Sequence, residues 1–226
     1  MIAIDINADL GEGASHDAAI MPLINSCNIA CGGHAGDGDL MNLTVKIAMQ
    51  QGVHIGAHPG YADRENFGRL PHNLSEIEVV ALVEQQVQNL LECIDRHSAS
   101  LHHLKLHGAL YHRANEDAAC AAALAAWCEK MLPQTIIFVP PMGAFFAALS
   151  QCGHPLWREG FVDRRYGDNG MLLPRSHPQA LIHDPQEAAR HAHQLARTGH
   201  FDTLCVHGDG EQAFNILTTL RSDFIF

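Results

Sequence analysis

Polar and apolar residues alternate at the start of the chain in a pattern that predicts a strand with two unlike faces. In the segment IAIDINADL the polar positions are Asp5, Asn7 and Asp9, and isoleucines alternate with them. Because successive side chains of a strand point to opposite faces, the three polar residues share one face. Two structures fit: a surface strand with a solvated face, or a barrel strand whose isoleucines pack on helices while its polar residues face the lumen, with Asp9 at the mouth.

Short β-prone segments recur between longer helical patterns along the rest of the chain. Seven strands are predicted, at residues 2–8, 26–31, 53–57, 101–106, 135–141, 155–161 and 203–208. Six helices are predicted, at residues 39–51, 75–97, 116–132, 143–151, 185–198 and 210–222. The second helix opens with a Ser75-x-x-Glu78 capping box. Strands that alternate with helices predict parallel pairing through right-handed crossovers.

Ionisable residues follow six of the seven predicted strands. They are Asp9, Glu12, His34, His58, Lys105, His107, Glu159, Asp163, Arg164, His207 and Asp209. In a parallel barrel all strands end at one rim, so these residues would converge on one pocket. An open, doubly wound sheet would instead gather its functional residues at one crevice. We therefore predict a closed α/β barrel of about seven strands, with the opening polar face directed into the lumen.

Length and composition favour one domain and disfavour some classes of partner. The 226 residues, of which 47% are hydrophobic, suffice for one substantial core, so we expect a single domain over residues 1–226. The net charge of −11 disfavours binding to nucleic acid or to an anionic membrane. No apolar segment approaches the ~18 residues of a membrane span, and no signal-like segment opens the chain. We expect a cytoplasmic protein with reduced cysteines, since the seven cysteines form no C-x-x-C pair.

The residues around two of the strand ends suggest how charge is balanced there. His103, Lys105 and His107 share a face, and a buried lysine needs acidic partners, for which Asp9, Glu159 and Asp209 are available. In VHGDGEQAF the sequence predicts Asp209 as the N-cap of the last helix. The free N-terminus of that helix would then lie at the rim, where it could hold an anion.

Several signatures of other chemistries are missing from the sequence. It contains no phosphate-binding G-x-x-x-x-G-K-[ST] loop, no G-x-S-x-G elbow and no H-E-x-x-H pair. His54 and His58 are too far apart on a strand, at ~13 Å, to share a metal ion. The chemistry that the remaining carboxylates, imidazoles and lysine suit is proton transfer and the activation of water on a polar carbonyl compound.

Ordered sequence blocks resemble one known family, LamB/YcsF. The blocks are IDINADLGEG, NIACGGHAGD, GVHIGAHPGYADRENFGR, HLKLHGALY, EGFVDRRY, LLPRS and CVHGDG, from Ile4 to about Arg221. The resemblance implies a distorted TIM-like barrel related to polysaccharide deacetylases. It also implies ATP-dependent opening of 5-oxoproline to glutamate, with Mg and with two partner subunits. The chain departs from the family pattern at Gly33 (usually Phe), at Leu106 (usually Pro) and in a shorter segment before the last strand.

The leading hypothesis from these observations is a small lactam held at the rim. Its site would be formed by Asp9, Glu12, His58, Lys105, His107, Glu159, Arg164, His207 and Asp209. Lys105 or Arg164 would stabilise an oxyanion or phosphate, Asp9 or a histidine would act as base, and the N-terminus of the last helix would be the place for ATP. One alternative is a metal-dependent amide or N-acetyl hydrolase with His34, His58 and Asp9 as ligands. A second alternative is a non-catalytic binding subunit.

Overall fold

Seven parallel strands form a closed barrel in the computed structural model, which describes residues 2–222 and 224–225. The barrel strands are β2 (Asp5–Leu10), β3 (Ser26–Ala30), β4 (His54–His58), β5 (Leu101–Lys105), β6 (Ile136–Val139), β7 (Leu156–Phe161) and β8 (Thr203–Val206). They follow one another around the barrel in chain order, and β8 pairs with β2 to close it, with Asn7 opposite Cys205. The prediction of a closed seven-stranded barrel is confirmed.

Helices connect the strands and cover the outside of the barrel. They are α1 (Asp17–Ile20), α2 (Gly38–Gln51), α3 (Glu76–Arg96), α4 (Gly108–Glu116), α5 (Ala118–Met131), α6 (Ala144–Cys152), α7 (Pro185–Arg197) and α8 (Ala213–Arg221), with a 3₁₀ turn at Met21–Leu23. The predicted capping box of α3 is present, with Ser75 and Glu78 bonded reciprocally. Within the described residues no helix is both long and apolar enough to cross a membrane.

The first barrel strand has its polar face inside the barrel. Ile6 is fully buried in the apolar layer between strands and helices. Asn7 is also fully buried, but it donates to Thr203 Oγ1 at 2.7 Å and accepts from Asn28 Nδ2 at 2.7 Å. Buried amides need such partners, because an unpaired polar group in the interior is costly. The strand is therefore not a surface strand, and its polar residues line the lumen as predicted.

The two ends of the chain differ from the prediction. The predicted first strand is interrupted at Ile4, and β1 (Ile2–Ala3) pairs with β9 (Phe224–Ile225) outside the barrel. The sequence also predicts no helix at α4, although Gly108–Glu116 is helical and begins shortly after the end of β5. Only Leu106 and His107 separate the strand from the helix, so no longer loop marks the boundary in the sequence, and that is the reason the helix was missed.

The last helix begins later than predicted, and Asp209 is not its N-cap. α8 starts at Ala213, its N-cap is Gln212, and no side chain caps it. Asp209 instead forms an ion pair with Arg69, from the long loop after β4. The prediction failed because a distant guanidinium competes for the carboxylate, and such a partner has no local signal in the sequence. All seven cysteines are free thiols, as predicted.

Candidate active site

A buried lysine, Lys105 of β5, lies at the carboxyl end of the barrel, where β2, β7 and β8 bring acceptors to it. Lys105 Nζ is 2.7 Å from Asp9 Oδ1, 3.1 Å from Glu159 Oε1 and 3.0 Å from Cys205 Sγ. Lys105, Asp9 and Glu159 are at most 3% exposed. The counter-charges that the sequence proposed for Lys105 are therefore Asp9 and Glu159, whereas Asp209 pairs elsewhere.

The close packing of these charges changes their proton affinities. Burial alone would raise the pKa of Asp9, but His58 and Lys105 lower it well below its usual value. Burial alone would lower the pKa of Lys105, but Asp9, Cys205 and Glu159 raise it well above the usual value. Burial raises the pKa of Glu159. The site thus holds an ammonium group against an ionised Asp9 in a place that excludes bulk water.

Three imidazoles and one carboxylate form a second group beside the lysine, which we call the histidine cluster: Glu12, His34, His58 and His107. One ligand-type atom from each lies within 4.8 Å of the other three. Glu12 Oε1 is 2.9 Å from His34 Nε2, and His58 Nε2 is 3.0 Å from His107 Nδ1. Atoms at these separations can share one metal ion. Asp9 is next to the cluster, with Oδ2 3.4 Å from His58 Nε2.

A cavity of about 460 Å³ opens above both groups. Its lining includes Asp9, His58, Arg69, Lys105, His107, Tyr111, Phe161, Arg164, Arg175 and His207. The loop after β7 forms one wall and is held by two antiparallel bridges, Arg164 to Leu181 and Tyr166 to Leu172. The cavity therefore has an acid–lysine floor and a wall that carries the guanidinium groups of Arg164 and Arg175.

Arg164 is the most buried cation of that wall. It is 3% exposed, and its Nη2 donates to the backbone oxygen of Leu173 at 2.6 Å. Its Nε is buried without a hydrogen-bond partner. Burial and the nearby Arg175 lower its pKa to about 10, so it remains charged at neutral pH. A buried guanidinium with an unused donor is a ready partner for an anionic ligand.

A histidine held by an aspartate lies at the same rim. His207 Nδ1 is 3.0 Å from Asp163 Oδ1, and the ring is stacked on Phe161 with centroids 5.3 Å apart. A carboxylate that accepts from Nδ1 fixes the ring tautomer and leaves Nε2 free to accept a proton. His207 and Asp163 thus have the arrangement of an oriented base.

The structure brings most of the predicted site residues to this cavity. The cavity is lined by Asp9, His58, Lys105, His107, Arg164 and His207. Glu12 contacts the lining residue His107, and Glu159 contacts the lining residue Lys105. Asp209 lies at the side, in the ion pair with Arg69. The group that the structure brings together differs from the metal ligand set considered from sequence: Glu12 and His107 lie with His34 and His58, whereas Asp9 lies outside the group.

The lining residues that the sequence did not propose include Arg69, Tyr111, Phe161 and Arg175. Tyr111 comes from helix α4, which was itself missed. Arg69 comes from the long loop after β4 and Arg175 from the long loop after β7, and long loops after strands often carry functional residues. Within such loops the positions of arginines are decided by the path of the chain, and only a helical periodicity at residues 108–116 could have been recognised beforehand.

Where the family pattern has phenylalanine this chain has Gly33, and a side chain from helix α3 lies against that position. Gln86 is 6% exposed, and its amide donates to Gly60 O at 2.7 Å and accepts from Gly60 N at 3.1 Å. A Cβ at residue 33 would overlap that amide group. In this chain Gln86 therefore occupies the space that a larger residue at position 33 would need.

We expect Gly33→Ala to destabilise the protein by about 1–3 kcal/mol, the usual cost of overpacking. The new methyl group would push Gln86 out of its hydrogen bonds with Gly60. Urea unfolding measures the difference. The same substitution in a Gln86→Ala background should cost much less, and an equal cost in both backgrounds would contradict the steric explanation.

The fold and the site together define a parallel β/α-barrel protein with a polar candidate active site at the carboxyl ends of its strands. The profile of the LamB/YcsF family matches residues 4–225, and the chain belongs to this family.

Relatives that carry the name of the A subunit of 5-oxoprolinase match most of the chain. One from Symbiobacterium thermophilum is 40% identical over 237 residues, which cover 97% of this chain and 91% of the relative. One from Methylococcus capsulatus is 41% identical over 238 residues, with the same coverage. The crystal structure of a lactam utilization protein from Thermus thermophilus is 35% identical, covers 98% of this chain and 95% of its own, and superposes with a TM-score of 0.92.

A more distant structural relative supports the fold alone. The T48 deacetylase is 15% identical and covers 99% of this chain and 86% of its own, with a TM-score of 0.54. This similarity confirms the expectation of a barrel of the deacetylase type. It carries no information on the reaction at this level of identity.

Proposed function

We propose that this chain is the lactam-binding subunit of an ATP-dependent 5-oxoprolinase, which opens 5-oxo-L-proline to L-glutamate together with two partner subunits. The names of the relatives at about 40% identity and of the Thermus structure support the substrate. The observation in this chain that carries the proposal is the cavity with Lys105 at its floor and Arg164 in its wall. Such a cavity suits a small, polar molecule that bears a carboxylate and a carbonyl group.

Each end of the lactam has a chemically matched partner in the cavity. The unused donor of Arg164, with Arg69 and Arg175 nearby, would bind the substrate carboxylate. Lys105, held by Asp9 and Glu159, would place its positive charge beside the lactam carbonyl oxygen, where negative charge develops. The rigid ion pairs keep that ammonium group in place, so little reorganisation is needed when the charge appears.

The amide bond itself needs further activation, because resonance makes the lactam carbonyl a poor electrophile. Transfer of the γ-phosphoryl group of ATP, with Mg, to the carbonyl oxygen would make the carbon electrophilic and release ADP. Water would then add to that carbon, the C–N bond would break to give an acyl phosphate, and a second water would release phosphate and glutamate. We propose that the partner subunits take part in the ATP-dependent step.

His207 is the residue we propose as the base that accepts a proton from the attacking water. Asp163 fixes its ring so that Nε2 is the free nitrogen. The sequence left the choice between Asp9 and a histidine open. The lowered pKa of Asp9 favours the histidine, since a strongly acidic carboxyl is a weak base.

Reconstitution tests the proposed function. The chain would be co-expressed with candidate partner subunits, and the ADP and glutamate formed from 5-oxoproline would be measured, with and without this chain. Glutamate formation that depends on this chain, on ATP and on the lactam is the expected result. Binding of 5-oxoproline without turnover in any combination of subunits would instead favour a non-catalytic binding subunit.

In the reconstituted enzyme we expect Arg164→Gln to raise the KM for 5-oxoproline by about 10- to 100-fold, the equivalent of one charged hydrogen bond of about 1.5–3 kcal/mol. The effect on kcat should be smaller, because the carboxylate is remote from the reacting carbon. Steady-state kinetics separate the two constants.

The neighbouring Arg165 offers a matched control for this measurement. Its side chain pairs with Glu187 of helix α7, away from the cavity. Arg165→Gln should leave KM unchanged. An unchanged KM in Arg164→Gln as well would exclude Arg164 as the carboxylate partner.

A further inference from the structure

The histidine cluster contains nitrogen lone pairs that the rest of the protein leaves without a proton. His58 Nδ1 is 2.8 Å from the backbone oxygen of Lys105, and His107 Nε2 is 2.9 Å from the backbone oxygen of Phe67. A carbonyl oxygen can only accept, so both of these nitrogens carry the ring hydrogen. In neutral rings His58 Nε2 and His107 Nδ1 are then unprotonated, and they face each other at 3.0 Å.

Two lone pairs at this distance repel each other unless a cation lies close to both. A carboxylate oxygen also points at this place: Glu12 Oε1 is 3.5 Å from His107 Nδ1 and 3.9 Å from His58 Nε2. Ligands that surround one zinc-sized ion at about 2.1 Å are separated by about 3.4 Å in a tetrahedral arrangement. The separations among His58 Nε2, His107 Nδ1 and Glu12 Oε1 are 3.0, 3.5 and 3.9 Å, and these distances bracket that value. A single proton, in contrast, would join only one pair of these three atoms.

We propose that Glu12, His58 and His107 bind one divalent transition-metal ion at the barrel mouth. The inference goes beyond the proposed function and does not depend on it, because it rests on hydrogen-bond donors and distances rather than on a reaction. His34 supports the site, since its Nε2 lies 2.9 Å from Glu12 Oε1 and its ring stacks on His107 with centroids 3.6 Å apart.

The surroundings of the cluster resemble the outer shell of known metal sites. Metal-binding histidines usually donate their second ring N–H to a carbonyl or carboxylate oxygen, which fixes the ring and its tautomer. Both His58 and His107 have such a carbonyl partner. The carbonyl for His107 belongs to Phe67, a non-glycine residue with a left-handed φ of 56°. Backbone strain of this kind persists where the surrounding structure holds it, and functional sites are where it concentrates.

The ligand types indicate the class of metal, and the position of the ligands in the cavity indicates how open the site is. Two imidazoles and one carboxylate suit Zn²⁺ or another first-row divalent ion, whereas Mg²⁺ prefers an octahedron of oxygen atoms. His58 and His107 also line the cavity, so a bound ion would have one side open to ligands. When bound there, a metal ion would supply Lewis-acid chemistry beside Lys105.

Metal titration of the whole chain tests the proposal without any measurement of turnover. Chelator-treated protein would be titrated with Co²⁺ and followed by visible absorbance, and with Zn²⁺ in a calorimeter. We expect one ion per chain, with a rise in the melting temperature on binding. Glu12→Gln and His107→Gln should each weaken binding by more than the ~10- to 100-fold that loss of an outer-shell partner costs.

His54 provides a matched control, since it is an exposed histidine at the opposite end of the same strand β4. His54→Gln should bind one ion as tightly as the unmodified chain. Melting curves of the metal-free variants show which of them are folded. If His107→Gln is unfolded, the Glu12→Gln variant still tests the proposal. The proposal is overturned if the folded chain binds no stoichiometric ion, if both variants bind as tightly as the control, or if millimolar Mg²⁺ displaces Co²⁺.

Discussion

Replacing Lys105 by methionine is expected to reduce the kcat of the reconstituted enzyme by at least ~100-fold, the usual cost of removing one donor that stabilises a developing oxyanion. The same change should destabilise the fold by about 3–5 kcal/mol, because it leaves a buried, ionised Asp9 without its counter-ion. Coupled measurement of ADP and glutamate gives the first quantity, and urea unfolding of the isolated chain gives the second.

Lys130 is the control for this prediction, since it is an exposed lysine on helix α5. Lys130→Met should change neither quantity by a measurable amount. A second variant, Lys105→Met with Glu159→Gln, should regain part of the lost stability but no activity, because it removes one unpaired acid and restores no donor. Normal turnover by Lys105→Met would remove Lys105 from the proposed chemistry.

Replacing His207 by glutamine is expected to reduce kcat by about 10²- to 10⁴-fold, the range that a general base contributes. Glutamine keeps polar atoms near Asp163 but has no nitrogen that accepts a proton near neutral pH. KM for 5-oxoproline should change little, since Arg164 and Lys105 make the proposed substrate contacts. Single-turnover and steady-state assays of the reconstituted enzyme separate these effects.

Asp163 offers the second measurement, because it touches His207 and is proposed only to position the ring. Asp163→Asn should lower kcat and also change the pH profile, since an amide no longer fixes the same tautomer. An exposed histidine, His200, serves as the control for loss of an imidazole. Equal kcat in His200→Gln and His207→Gln would rule out His207 as the base.

The departures from the family pattern do not remove the central groups of the site. Gly33 lies against Gln86, which fills the adjacent space and holds Gly60. Leu106 is 2% exposed and follows Lys105 directly at the end of β5. Both positions therefore concern packing around the mouth, and Lys105 keeps its partners in their presence.

Local patterns in the sequence were sufficient for the barrel and for its capping box. The alternation of isoleucine with Asp5, Asn7 and Asp9 predicted an inward polar face, and the hydrogen bonds of Asn7 inside the lumen confirm it. The resemblance to LamB/YcsF is confirmed by the family match over residues 4–225. Periodicity and capping are local properties, so they are visible along the chain. The catalytic roles of the rim residues, the single domain and the cytoplasmic location remain predictions.

The sequence by itself determined that acids, histidines and one lysine follow successive strands, and parallel pairing then placed them at one rim. Only the tertiary structure decided which of them touch: Lys105 pairs with Asp9 and Glu159, whereas Asp209 forms an ion pair with Arg69. It also decided that Glu12 and His107, and not Asp9, complete the histidine cluster. The physical reason is that hydrogen bonds and ion pairs depend on ångström distances between side chains from different strands and loops, and spacing along one chain does not encode those distances.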